Sequence, residues 1–566
     1  MFPTLEIKNL QIDFRTEHET ITAVQNINIT IDRNQIVGIA GESGSGKSVT
    51  SLAILKLLAP TAQFATGQIL FSRDGENQID ILTSGDKALR RLRGKDIAMI
   101  FQEPMSSLNP VFTCGEQVAE AVRLHSNISY EEARQVTINW FSRVQLPQPA
   151  AIYERYPHQL SGGQKQRVMI AMAMSGNPSL LICDEPTTAL DVTVQKAVLE
   201  LIKELQSETG LSVLFITHDL GVIAEIADKV IVMYKGTVVE EGSVHDIFRS
   251  PQHAYTKALL ACRPALYTQG NRLPVVADFL QAKDFKNASL VNTSAKPTAH
   301  HDVLVSVQNV SVYYPVNKNF FGKPAAFTRA VDDVSFTIYK GETLGLVGES
   351  GCGKTTLGRA LLHLVVPTKG TVTYNGTNPA KLGSSHLKRF RKNMQIIFQD
   401  PYSSLNPSLT VGSIIAEPLS VHCKELTAAQ RREKVMALLE KVGLLSAHYN
   451  RYPHEFSGGQ RQRIVIARAL ALNPAFIVCD ESVSALDVSV QAQVLNLLND
   501  LKEEFGFTSV FISHDLSVVR YVSDRIMVMN KGKIMETGPS EQIYLNPQSP
   551  YTKRLINAIP GGKRAD

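Results

Sequence analysis

Residues 41–48 read Gly-Glu-Ser-Gly-Ser-Gly-Lys-Ser, and residues 348–355 read Gly-Glu-Ser-Gly-Cys-Gly-Lys-Thr. Both fit the pattern GxxxxGK[ST], and the first lies between a strand-like run, IVGIA, and a helix-like one, TSLAILKLL. In such a loop Gly41, Gly44 and Gly46 let successive backbone N–H groups turn inward around a phosphate, with Ser43 among the cradling positions. The helix start adds its positive end, Lys47 reaches the terminal phosphates, and the Ser48 hydroxyl is placed to ligate Mg²⁺. Gly348, Ser350, Gly351, Gly353, Lys354 and Thr355 repeat every element.

The repetition extends outward. FQEPMSSLNP at 101–110 returns as FQDPYSSLNP at 398–407, and YPHQLSGGQKQR at 156–167 returns as YPHEFSGGQRQR at 452–463. The order is kept and only loop lengths differ, so a whole domain is written twice; a solenoid unit would recur every 20–50 residues or so. Between the copies, 263–302 is rich in Asn, Thr, Ala, Pro and Gly without steady periodicity, which predicts a linker; His300 and His301 in it are expected to be solvated. The chain therefore reads as a first domain 1–262, a linker 263–302 and a second domain 303–566.

The 566 residues are 44% hydrophobic and 20% charged, with a net charge of +5, which excludes disorder as the main state and leaves no strong electrostatic footprint for nucleic acid. At about 150 residues per domain the length counts roughly four lobes, two per copy. Six cysteines, without CxxC or metal-ligand spacing, read as reduced, buried thiols. No apolar run approaches the roughly 18–20 residues that cross a bilayer, and MFPTLEIKNL lacks a signal-like pattern, so a cytoplasmic protein is expected.

Within each copy, continuous apolar runs end at chemically busy residues: LLIC before Asp184, VLFIT before His218, and FIVC before Asp480. Runs of this kind suit strands of a parallel sheet buried on both faces, alternating with amphipathic helices such as VQKAVLELIKELQ. Stretches 111–155 and 408–451 read as helical insertion lobes. Asp184-Glu185 and Asp480-Glu481 sit where an open α/β sheet presents its ligands; the aspartates suit the Mg²⁺ shell and the glutamates can accept a proton from an attacking water. A lone pair of this kind could cap a helix, but the glycine loop upstream of it in both copies weakens that alternative. His218 (THDL) and His514 (SHDL) end further strand-like runs, which points to contact with the γ-phosphate or the attacking water, with a structural role as the alternative.

These residues together resemble the ATP-binding subunits of ABC transporters over nearly the full length. Leu160-Ser161-Gly162-Gly163-Gln164 and Phe456-Ser457-Gly458-Gly459-Gln460 look like that family's signature. The resemblance implies an α/β fold of two P-loop NTPase (RecA-like) ABC ATPase domains in tandem, each with a helical subdomain. It further implies that Gln102 and Gln399 sense the metal and the attacking water, that Asp191 and Asp487 form the loop between sites, and that Phe14 and Tyr314 stack on adenine, where an ordinary core aromatic is the competing role. It also implies that the two copies pair head to tail within one chain and trap two ATP. One site would join Lys47, Ser48, Gln102, Asp184, Glu185 and His218 to Ser457 and Gly459; the other would join Lys354, Thr355, Gln399, Asp480, Glu481 and His514 to Ser161 and Gly163. Both keep a glutamate and a histidine, so both are expected to hydrolyse ATP. Ser482 stands where the first copy has Pro186.

The SSLNP blocks and the tails PQHAYTKALL and PQSPYTKRLI look like the subfamily that energises bacterial uptake of di- and oligopeptides, nickel and glutathione. That implies ATP and Mg²⁺ as cofactors, two integral membrane permease subunits and an extracytoplasmic solute-binding protein as partners, no nucleic acid, and a peripheral position on the cytoplasmic face of the inner membrane. With only Cys262 after the first domain, no iron–sulfur centre is expected. The alternatives are an exporter ATPase, or a soluble tandem ATPase acting on ribosomes or nucleic acid. The weakly charged linker, and the short span from Lys47 to Ser161, disfavour the latter.

Overall fold

Strand positions follow from how the apolar runs meet two cores at once. The computed structural model describes residues 1–15, 19–102, 107–188, 190–281, 302–318, 324–484 and 486–559. In chain order the first copy's strands are β1 (Leu5–Arg15), β2 (Thr20–Ile31), β3 (Ile36–Ala40), β4 (Ala62–Phe71), β5 (Ile79–Asp80), β6 (Ile97–Ile100), β7 (Leu180–Asp184), β8 (Ser212–Thr217), β9 (Lys229–Tyr234) and β10 (Thr237–Ser243). One sheet runs β10-β9-β3-β8-β7-β6, parallel except at its β9–β10 edge. In β7, Leu180 and Ile182 join one hydrophobic core while Leu181 and Cys183 join the other; in β8, Leu214 and Ile216 face the first, Val213 and Phe215 the second. The period-2 alternation of a strand thus turns an unbroken apolar run into two buried faces. Each such Leu or Ile contributes about 1.5–3 kcal/mol by burial.

One of those cores is closed by a second, antiparallel sheet, β2-β1-β4-β5, which sequence reading did not separate from the parallel one. The other is closed by the helical lobe: Cys114–His125, Tyr130–Arg143 and Pro149–Tyr153 bury Val118, Trp140, Phe141 and Tyr153 against Val168 and Ile170 of helix Gly162–Met174. Capping boxes at Thr113 and Ser129 start the first two of these helices. The expected helical insertion is therefore present.

The second copy repeats this plan. Its strands are β11 (Val303–Lys318), β12 (Pro324–Tyr339), β13 (Thr343–Val347), β14 (Lys369–Tyr374), β15 (Met394–Ile397), β16 (Phe476–Asp480), β17 (Thr508–Ser513), β18 (Arg525–Asn530) and β19 (Lys533–Pro539). They form a three-stranded sheet, β12-β11-β14, and a six-stranded one, β15-β16-β17-β13-β18-β19. Helices Val411–His422 and Ala428–Lys441 occupy the lobe corresponding to 111–155.

The stretch expected to be a plain linker is partly built into the units. Contacts divide the chain into Met1–Ala261 with helix Val276–Gln281, and Cys262–Val275 with the chain from Asp302 onward. Residues 282–301, including His300 and His301, lie outside the described residues. Residues 269–273 are strapped to the second unit. Leu273 N–H donates to Asn496 Oδ1 at 2.9 Å, Asn496 Nδ2 donates back to Leu273 O at 2.8 Å, and Tyr521 Oη donates to Asn271 O at 2.8 Å. Leu273 is buried and Arg272 pairs with Asp500 at 3.0 Å. At the positions matching Asn496 and Tyr521 the first copy has Glu200 and Glu225, so this strap site exists in one copy only.

Two outcomes follow from these buried polar groups. Asn496→Ala removes both partners of Leu273, so exchange of the Leu273 amide should quicken about tenfold or more; unchanged protection contradicts the strap. The Ser482 hydroxyl is buried with no hydrogen-bond partner among the described residues. Ser482→Ala should therefore stabilise the second unit by about 1 kcal/mol, read as a higher urea midpoint.

Candidate active site

The phosphate loop of the first copy leaves β3 and enters helix Lys47–Ile54. Gly46 takes φ +99°, and a Cβ there would stand 2.9 Å from Ala23 O, so only glycine fits at this turn. Lys47 is buried and donates from Nζ to Gly41 O and Glu42 O, each at 2.8 Å. Lys354 does the same to Gly348 O at 2.7 Å and Glu349 O at 3.0 Å.

Neighbouring strands bring the other groups alongside. The sheet order places β3, β8, β7 and β6 side by side, and their C-terminal ends carry, in that order, the loop, His218, Asp184-Glu185 and Gln102. This is the edge at which open α/β sheets bind ligands. Ser48 Oγ donates to Asp184 Oδ1 at 3.1 Å and Ser51 Oγ to Oδ2 at 3.2 Å. Glu185 Oε2 meets His218 Nδ1 at 3.1 Å and accepts from Thr188 Oγ1 at 3.0 Å and Gln102 Nε2 at 3.3 Å. In the second copy Thr355 Oγ1 donates to Asp480 Oδ1 at 2.9 Å, Gln399 Nε2 to Glu481 Oε2 at 2.6 Å, and His514 Nδ1 lies 3.7 Å from Glu481 Oε2.

The two carboxylates of each pair face opposite electrostatic settings. Burial pushes Asp184 and Asp480 above the usual carboxylate range, against the hydrogen bonds from Ser48 and Thr355. Burial also opposes ionisation of Glu185 and Glu481. There it is outweighed by the hydrogen bond and charge of His218, or by the attraction of His514 at 3.7 Å, with Lys47 or Lys354 behind, so both glutamates are held below their usual range. His514 is raised: Glu481 outweighs the burial that would discharge it. Both glutamates adopt left-handed backbone, φ +48° at Glu185 and +47° at Glu481, a conformation costly for a residue with a Cβ.

Ser161, Gly162 and Gly163, and likewise Ser457, Gly458 and Gly459, begin the helices Gly162–Met174 and Gly458–Leu470. Each serine forms a capping box: Gln164 N–H donates to Ser161 Oγ at 3.4 Å while Ser161 N–H donates to Gln164 Oε1 at 3.0 Å, and Ser457 pairs with Gln460 in the same way. Ser161 and Ser457 are exposed. Asp191 caps helix Val192–Thr209 by accepting from Val194 N–H at 3.2 Å, and Asp487 occupies the matching N-cap. Phe14 packs on the core beneath the antiparallel sheet, whereas Tyr314 stands 42% exposed. Sequence reading missed Ser51 and Thr188. A hydroxyl recurs at Thr188 and Ser484, but Ser51 is matched by Gly358, so the repeat held no signal for it.

The ABC transporter family profile matches residues 24–188 and 331–484, and that of the oligopeptide/dipeptide transporter C-terminal region matches 239–281 and 535–565. The chain is 48% identical over 562 residues to the glutathione import ATP-binding protein GsiA of Pectobacterium atrosepticum, covering 98% of this chain and 89% of that protein. It shares 48% identity, with the same coverage, with the protein of that name from Escherichia coli K12. A solved dimeric ATP-binding cassette bound to ADP and phosphate is 30% identical over 42% of this chain and 98% of its own, with a TM-score of 0.38. The chain belongs to the ABC transporter family, as a tandem ATP-binding subunit with the oligopeptide/dipeptide C-terminal region, and it hydrolyses ATP to energise solute import.

Proposed function

We propose that each copy supplies one half of two ATP sites and that the solute carried is a short peptide, with glutathione, itself a tripeptide, in that class. The observation that carries the site reading is the same set in both units: a buried loop lysine, a strand-end Asp-Glu pair with a glutamine hydrogen-bonded to its glutamate, and a histidine within 4 Å of that glutamate. The loop N–H groups of 43–48 and 350–355 bind the phosphates, and Lys47 and Lys354 move from their carbonyl partners onto the terminal phosphates. Tyr314 is free enough of the core to stack on adenine; the corresponding role for Phe14 would require it to leave its packing.

Glu185 and Glu481 are ionised at neutral pH, and each accepts a proton from the water that attacks the γ-phosphorus. The bond to the β–γ bridging oxygen breaks, giving ADP and phosphate. Gln102 and Gln399, donating to the same carboxylate oxygens, hold that water with His218 and His514. The donor set also fits Mg²⁺, which takes few protein carboxylates together with phosphate oxygens. Ser48 and Asp184, or Thr355 and Asp480, with Gln102 or Gln399, would hold it, and the burial that raises both aspartates in spite of the neighbouring cationic side chains favours a further cation there. When bound it supplies charge neutralisation on the phosphates.

The second face of each site would come from Ser161, Gly162, Gly163 and Gln164 for the second copy's loop, and from Ser457, Gly458, Gly459 and Gln460 for the first. Asp191 and Asp487 would lie in the loop between sites. Exposed apolar residues lie near each glutamine in the sequence: Phe101, Val111 and Phe112 in one unit, Phe398, Tyr402 and Leu409 in the other. These surfaces are proposed to dock two integral membrane permease subunits fed by an extracytoplasmic solute-binding protein. Among the described residues no helix is long and apolar enough to cross a membrane, which agrees with a peripheral place on the inner membrane.

Replacing both Glu185 and Glu481 with Gln keeps the hydrogen bonds but removes the base. Turnover should fall by about 10²-fold or more while ATP binding persists; substantial residual hydrolysis would remove these residues from the role. In the cell, loss of the chain should abolish uptake of labelled glutathione or dipeptides, and undiminished uptake of both would exclude the solute class.

A further inference from the structure

The C-terminal region of each copy reaches back to that copy's phosphate loop through one hydroxyl. Tyr255, fully buried in helix Ala254–Ala261, accepts a hydrogen bond at its Oη from the backbone N–H of Glu42 at 3.0 Å. Tyr551, buried in helix Pro550–Asn557, accepts one from the N–H of Glu349 at 3.2 Å. Glu42 and Glu349 are the second residues of the two loops. Their carbonyls are the ones to which Lys47 and Lys354 donate. Residue 42 is therefore held from both sides, its N–H by the tail tyrosine and its C=O by the loop lysine.

The tails are themselves anchored in the same way in both copies. Glu240 accepts from the N–H groups of Gln252, at 2.7 Å, and His253, at 3.1 Å; Glu536 accepts from those of Gln548, at 2.7 Å, and Ser549, at 3.1 Å. The hairpin leading into each tail makes a second tie, Gly236 N–H to Ser45 O at 3.1 Å and Gly532 N–H to Cys352 O at 2.9 Å. The glycines that let the loop curl around phosphate also give it the most backbone freedom to lose. An empty loop fixed at both of these points spends more of its time in the curled form, and apparent affinity scales with that fraction.

We propose that Tyr255 and Tyr551 are positioning residues for nucleotide binding, and that the C-terminal region of each copy serves to brace its own phosphate loop through them. This rests on the reading of 41–48 and 348–355 as the cradle for ATP phosphates. The hydroxyls touch no substrate. They act by keeping the loop preorganised, so their loss is felt in binding, while bound phosphate restores the loop before the chemical step.

The test uses the full-length chain with Tyr255→Phe, Tyr551→Phe and both together, changes that keep the buried rings and remove only the oxygens. For the double variant the ATP KM and the ATP Kd from equilibrium titration should each rise about threefold to tenfold, with kcat within about twofold and the melting temperature little changed. An unchanged KM and Kd, or a fall in kcat at unchanged KM, overturns the proposal, as does a KM shift that merely follows a large drop in melting temperature. Lys47→Ala with Lys354→Ala separates the two levels. Lost ATP binding in that variant beside unchanged binding in the tyrosine variant removes only the brace, whereas retained binding in the lysine variant removes the cradle and the brace with it.

Discussion

Two adjacent carboxylates at the end of one buried strand must point to different partners, and each nucleotide site is organised around that requirement. Side by side in a low-dielectric interior they would repel, and one would take up a proton. The left-handed turn at Glu185 and Glu481 separates them: the aspartate stays against the loop hydroxyl, the glutamate swings to the histidine and glutamine of the flanking strands. The backbone strain is tolerated because the parallel strands on either side fix both ends of the turn; Glu185 N–H, for instance, donates to Ile216 O of β8 at 2.9 Å. A poised, ionised glutamate beside an aspartate whose burial outweighs the nearby cationic side chains is the result.

The duplication makes the arrangement more informative than one copy would be. The lysine, hydroxyl, aspartate, glutamate, glutamine and histidine contacts recur in both units, as do the tyrosine and glutamate contacts of the tail. What differs marks tolerance or a separate role. Ser51 has no counterpart, Pro186 becomes a buried serine, and the receptor residues for 269–273 appear only in the second copy. Asn496 and Tyr521 thus give the stretch after the first domain a fixed seat that the repeat itself does not contain.

The parts legible in the sequence were those whose physics is local. IVGIA, LLIC and VLFIT read as strands because burial on both faces leaves an unbroken apolar run, and the glycine loops carry their turn requirement in their own residues. The antiparallel sheet was less legible: β1 pairs with β2 and β4 across a bulge around Asn9, at φ +47°, and that pairing is set by the fold and not by the run's own residues. The seat of 269–273 was hidden because its partners lie 223 and 250 residues away, and polar residues before a partner is known read as linker. Tyr255 and Tyr551 were visible as a recurring tail motif, but their contact with the loop, 213 and 202 residues distant, is set by the fold alone.

The central claim, that each unit builds its own ATP cradle from loop, strand-end carboxylates, glutamine and histidine, is tested most directly by counting bound nucleotide. Equilibrium dialysis of the full chain carrying Glu185→Gln and Glu481→Gln should find two ATP per chain at saturation, and one when Lys47→Ala is added. A count of two that survives removal of Lys47 would contradict the account.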